Sequence, residues 1–216
     1  MITLINNILL IYLPALRSLD LGMEYHGTSW RLTTAIVPLT YLRLCLPNMD
    51  SLVRILLTPP LSNTLKQLHV RMGKNASNIH SIPKSDLSIQ MINLHTFTLA
   101  QNFFSSLAIE WTILEILTSS KIMPVLRRAN VSIYLNINDL NRIGSSSLFT
   151  DHRHVDVHFA FHLTNCRQYR EVTQYIPRGH CFHPREIIGA TLLVNHWTHK
   201  SEWRITSNDP FVSQSN

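Results

Sequence analysis

Apolar positions recur along the first two thirds of the chain in the order apolar-x-x-apolar-x-apolar. The pattern stands at Leu16-Leu19-Leu21, Leu39-Leu42-Leu44, Leu65-Leu68-Val70 and Leu94-Phe97-Leu99, and in weaker form at Leu126-Ala129-Val131. First positions are separated by 23, 26, 29 and 32 residues. A single copy means little because leucine is common, but five copies in order mark a repeat whose length drifts. Inside the copies (RSLDLG, TYLRLC, KQLHVR, HTFTLA) apolar and polar residues alternate, which predicts strands with one buried face. Between the strands the spacing becomes helical. In MDSLVRILLT, Leu52, Ile55 and Leu56 share a face, and Pro59-Pro60 is expected to stop the helix. In SSLAIEWTILEILTSSK, Leu107, Trp111, Leu114 and Leu117 do the same. Such a unit hides its strand face and its helix stripe only by stacking on neighbours. The fold expected is therefore α/β, an irregular strand-helix solenoid with a curved parallel sheet. A plain α/β globule is the alternative.

These segments resemble the leucine-rich repeat family. The family pattern L-x-x-L-x-L-x-x-N is met most fully by Leu94-His95-Thr96-Phe97-Thr98-Leu99-Ala100-Gln101-Asn102, with Asn102 at the ladder position, whereas Glu24 and Pro47 stand there in other copies. The resemblance covers about residues 10 to 135. The phrases LPALRSLDL and PLTYLRL look like the irregular repeats of F-box proteins, in which the repeats hold a substrate for a cullin-type ubiquitin ligase. No F-box-like segment precedes Leu13, so the resemblance implies the recognition half alone.

If Leu19 and Leu21 point inward, their neighbours Ser18 and Asp20 point outward. The same parity exposes Tyr41 and Arg43, then Gln67, His69 and Arg71, then Thr96 and Thr98. Stacking would align Asp20, Arg43, His69 and Thr98 in one row across a concave face. Tyrosine and arginine are favoured interface anchors, so Asp20, Tyr41, Arg43, Gln67, His69, Arg71, Thr96 and Thr98 are the candidate partner-binding residues. The expected partner is a protein, bound by a monomer or by one member of a larger complex.

The repeat is read as fading after Asn141, which places a solenoid at 1–143 and a C-terminal cap at 144–216. GSSSLFTD at 144–151 reads as a turn-rich connector, and IIGATLLV as a buried strand. Trp197 and Trp203 are expected to pack on the end of the solenoid. DHRHVDVHFAFH, at 151–162, puts His152, His154, Asp156, His158 and His162 on one parity and Val155, Val157, Phe159, Phe161 and Leu163 on the other. Period two with an apolar side predicts a half-buried strand with its histidines outward, and these would make partner binding respond to pH between about 5 and 8.

Composition narrows the chemistry. Of 216 residues, 45% are hydrophobic and 15% charged with only 6 glycines, which excludes a low-complexity chain. The net charge of +6 is spread out, with 8 basic and 4 acidic residues up to Ala108, and 11 and 9 after it. Without an obvious basic run, no nucleic-acid partner is expected. The opening MITLINNILLIYLP lacks the basic flank and cleavage site of a signal peptide and is short for a membrane span, so no membrane partner is expected. It reads as a helix leading into the first strand, which puts Met1 inside a structural unit and suggests that the chain lacks its natural beginning. NDPFVSQSN offers no closing element at the other end.

The three cysteines, Cys45, Cys166 and Cys181, suit a reducing compartment, the cytoplasm first and the nucleus second. No nucleophile elbow, glycine-rich phosphate loop or paired carboxylates stand out, so neither an enzyme nor a cofactor is expected. The alternative function is a metal-binding module or metal-dependent enzyme using Cys166, His180, Cys181 and His183. The spacing of these four lacks the two paired units of a structural zinc site, and no metal ligands are assigned.

Overall fold

The structure is a computed structural model of the chain. It describes residues 15–22, 38–57, 59–73, 90–101, 108–139, 142 and 146–164, together with the backbone of 185–187, 190–197 and 203–204. The molecule is α/β and is built on one nine-stranded sheet. Six strands run parallel and lie side by side in chain order: β1 (Ser18–Asp20), β2 (Tyr41–Leu46), β3 (Gln67–Met72), β4 (Thr96–Gln101), β5 (Arg128–Asn136) and β6 (Asp156–Thr164). Then β8 (Ala190–Trp197) pairs antiparallel with β6, and β7 (Arg185–Ile187) and β9 (Trp203–Arg204) both pair antiparallel with β8.

Each of the five sequence copies contributes one parallel strand, and the register keeps like positions together. Leu19, Leu42, Leu68, Phe97 and Ala129 are successive Cα partners, and Val157 of β6 continues the row. From Leu42 to Val157 that row is fully buried. The first-position leucines Leu39, Leu65, Leu94 and Leu126 lie in the same core, with Leu16, Leu19 and Leu21 packed partly buried against it. Strand β6 lies beyond the boundary read at 143, yet it pairs with β5 over nine residues.

A repeated hydrogen bond links the units just ahead of their strands. The carbonyl of Arg17 accepts from the N–H groups of both Thr40 and Tyr41, that of Thr40 from Lys66 and Gln67, that of Lys66 from His95 and Thr96, and that of His95 from Arg127 and Arg128. The Arg127 carbonyl accepts from Asp156 N–H at 2.8 Å. At the four steps from β1 to β5 one carbonyl serves two donors, which turns the chain into the strand at a fixed point, so the register there cannot slip without breaking a pair of bonds.

The helices cover one face of the sheet. In α1 (Met49–Leu56), Met49, Leu52, Val53, Ile55 and Leu56 are buried. Asn48 caps it, its Oδ1 accepting from Ser51 N at 3.0 Å and Ser51 Oγ at 2.8 Å. Asn48→Ala is expected to lower stability by about 1 kcal/mol in urea denaturation, with Asn48→Asp close to wild type. Pro59-Pro60 does end α1 as expected, but it also opens a second short helix, α2 (Pro59–Thr64). Proline suits a first turn, where its missing N–H would have had no helical partner. In α3 (Trp111–Leu117), Trp111, Ile113, Leu114 and Leu117 face the core, and the Trp111 ring meets Phe161 of β6 edge-on at 6.1 Å. Leu107 lies outside the described residues. The connector at 144–151 contains α4 (Ser147–Thr150), capped by Ser146.

Candidate binding face of the sheet

The sheet face opposite the helices presents a grid whose rows follow from the register. One row runs Ser18, Tyr41, Gln67, Thr96, Arg128, Asp156. The next runs Asp20, Arg43, His69, Thr98, Asn130, His158. A third begins at Cys45 and continues through Arg71, Ala100, Ser132 and Ala160. All eight sequence-assigned residues fall in these rows, and the row Asp20-Arg43-His69-Thr98 forms as expected. Sequence reasoning missed Arg128 and Asn130 of β5, although both immediately precede apolar positions of the weak fifth copy. That same spacing was the signal that could have found them.

Neighbouring strands bind each other through this polar face. Arg43 Nη1 lies 3.3 Å from Asp20 Oδ2. The Tyr41 and His69 rings lie with centroids 5.2 Å apart and planes tilted by 40°. Asn130 Nδ2 donates to Thr98 Oγ1 at 3.2 Å, and Arg128 Nε stands 3.4 Å from Asp156 Oδ2. Most of these groups are half-buried. Thr98 is the exception to the expected exposure, since only 6% of it is accessible. Its bond with Asn130 makes it part of the floor of the face. Gln101 is buried too, its Oε1 accepting from Tyr134 N at 3.0 Å, a cross-strand bond one residue before the expected ladder residue Asn102. Asn102 itself lies outside the described residues.

Burial and charge shape the titrating groups. Burial lowers the His69 pKa, and the Arg43 guanidinium lowers it further, against the opposing pull of Asp20. A histidine held neutral in the folded chain lends stability that is complete above its unfolded pKa of about 6.5 and is lost as pH falls from there toward its lower folded pKa. His69→Asn should therefore flatten the loss of urea stability between about pH 7 and 5, and an unchanged slope would exclude His69 as its source. Burial likewise raises the Cys45 thiol pKa, which the nearby Arg71 charge only partly offsets, so Cys45 is poorly suited to nucleophilic chemistry.

In the histidine-rich stretch, the strand begins at Asp156, so His152 and His154 precede it. Both are exposed, and His154 takes a left-handed backbone with φ 54°. Val155, Val157 and Phe161 are buried as the alternation predicts. His158 Nε2 lies 3.4 Å from Asp156 Oδ2. Among the described residues no three His, Cys, Asp or Glu side chains gather as a metal site. Cys166, His180, Cys181 and His183 lie outside them, as do the side chains of Trp197 and Trp203, which the backbone makes register partners. No helix among the described residues is long and apolar enough to cross a membrane. Comparison with family models, with curated proteins and with solved structures finds no match.

Proposed function

We propose that this chain is a protein-interaction scaffold without enzymatic activity, built as an irregular leucine-rich-repeat solenoid. The observation that carries the proposal is the register: six parallel strands adjacent in chain order, with like positions in rows and one linking hydrogen bond recurring between units. Stacked units of this kind leave an extended face whose side chains are set by strand parity and are available to a partner. On that face Tyr41, Arg43, His69 and Arg71 combine aromatic area with polar ends, the composition of protein interfaces. The antiparallel β8 pairs with the edge of β6, which supports a capping role for the part of the chain that follows β6. By its resemblance to F-box repeats, the proposed partner is a substrate presented for ubiquitin ligation, and the work compartment is the cytoplasm.

The test is affinity capture with the wild-type chain and with Arg43→Glu, followed by binding of the recovered partner in purified form. The expected result is a partner whose affinity falls at least about tenfold with Arg43→Glu, the loss of one interface anchor. Equal affinity for both forms would remove the face from the proposal.

A further inference from the structure

The positive charge that is dispersed along the sequence is gathered by the fold. The residues just ahead of the strands, Arg17, Lys66 and Arg127, are exposed, with the half-buried His95 in the same series. Arg17, Lys66 and His95 are brought to one rim of the sheet by the double-acceptor bonds of their carbonyls, and Arg127 joins that rim through one bond from Asp156 N–H. Beyond the rim, Arg128 stands in the first row of the polar face, Arg43 in the second and the half-buried Arg71 in the third, whose Cys45 and Ser132 are buried. Among the described residues, six cations thus border or occupy the face, against two acids, Asp20 and Asp156. On the helices and connections the balance is reversed among the described residues: Arg54, Lys121, Arg142 and Arg153 meet Asp50, Glu110, Glu115, Asp139 and Asp151.

The two acids sit at the ends of the parallel stack, on β1 and β6, and the strands between them carry none on this face. We infer that the face receives a short acidic segment of a protein partner, laid across β2 to β5. This inference rests on the scaffold reading and names the chemistry of its partner. Three strand spacings span about 14 Å, which an extended chain covers in four to five residues at about 3.3 Å each. Asp20 and Asp156 bound the tract by repelling a longer run of acids and by favouring neutral or basic flanks. The same bounding disfavours a nucleic acid, whose phosphates continue past both ends. Arg43 and Arg128 are paired with these acids only through partly exposed contacts. Such exposed pairs are weak, so an incoming carboxylate can share either guanidinium.

The experiment uses the full chain and labelled peptides in fluorescence anisotropy. One peptide carries five consecutive glutamates between Gly-Ser flanks, one carries ten, and a control carries glutamines. The five-glutamate peptide should bind at least tenfold more tightly than the glutamine control, and Lys66→Glu with Arg71→Glu should abolish that preference. Asp20→Asn with Asp156→Asn should improve binding of the ten-glutamate peptide more than that of the five. No preference for glutamate over glutamine would overturn the inference, and so would tighter binding of a single-stranded oligonucleotide sensitive to the same substitutions. A purified partner that is lost with Arg43→Glu but indifferent to Lys66→Glu and Arg127→Glu would sink the acidic-segment inference while leaving the scaffold standing. Failure of Arg43→Glu to change any partner's affinity would remove both.

Discussion

Arg153→Ala is expected to destabilise the chain by about 3–5 kcal/mol, the range for breaking a buried charge pair from one side. The Arg153 side chain is 2% exposed and pairs with Asp151, Nε donating to Oδ2 at 2.6 Å. Its Nη1 also donates to the carbonyls of Thr118 and Met123, both at 2.8 Å. One guanidinium thereby ties the turn after α3 to the entry of β6, some thirty residues on in the chain. Removing it strips two carbonyls of this donor and leaves a carboxylate without its cation. Urea unfolding measures the loss, and Arg153→Lys should recover only part of it because a point charge cannot bridge three acceptors in a plane. A change below about 0.5 kcal/mol, the scale of an ordinary surface substitution, would mean that the turn and the strand entry hold together without this link.

The same pair sets an acid limit. Burial pushes the Asp151 carboxyl up, but hydrogen bonds from the Arg153 side chain and backbone, with its charge, outweigh this and hold the pKa below the ordinary value. A depressed carboxylate pKa contributes stability above the unfolded value, near 3.9, that is lost as pH falls through the folded value. The loss belongs to strongly acid solution and is separate from the His69 effect near neutrality.

Phe97→Ala should cost a similar amount, about 3–5 kcal/mol. Phe97 is fully buried in the middle of the sheet, with Leu68 and Ala129 as its register partners. The large ring stands beside the smallest member of the row, so its removal opens a space that neighbouring strands, held by backbone bonds on both sides, cannot close. Thr96→Ala, one residue away on the open face, should stay within about 0.5 kcal/mol. Equal effects at the two positions would contradict the assignment of faces.

That assignment was legible in the sequence because it needs only a period of two. Every strand from β1 to β5 falls on an expected copy, and the candidate residues on β1 to β4 lie in the rows that parity predicts. The alternation within 151–162 likewise announced β6, although the strand begins only at Asp156, beyond His152 and His154, and its place in the sheet was not evident. Less legible was anything that depends on partners distant in the chain. Pro59-Pro60 reads as a stop, and the structure shows that a short helix also begins there. Thr98 has the parity of a surface residue, yet Asn130, 32 residues later, helps to cover it. Nothing in the local pattern around Arg153 reveals that its acceptors are Thr118 and Met123.

The sequence by itself determined which residues alternate, which face of each strand is apolar and where helices interrupt the strands, because those are properties of neighbours a few positions apart. Tertiary structure alone decided that β6 extends the parallel sheet, that β8 joins its far side in the opposite direction, and that scattered arginines and Lys66 meet along one rim and face. The physical reason is register. Stacking strands about 4.8 Å apart makes neighbours of residues 23 to 32 positions apart in sequence, and charges diluted along the chain are brought together once the carbonyl bonds between units set where strands β2 to β6 begin.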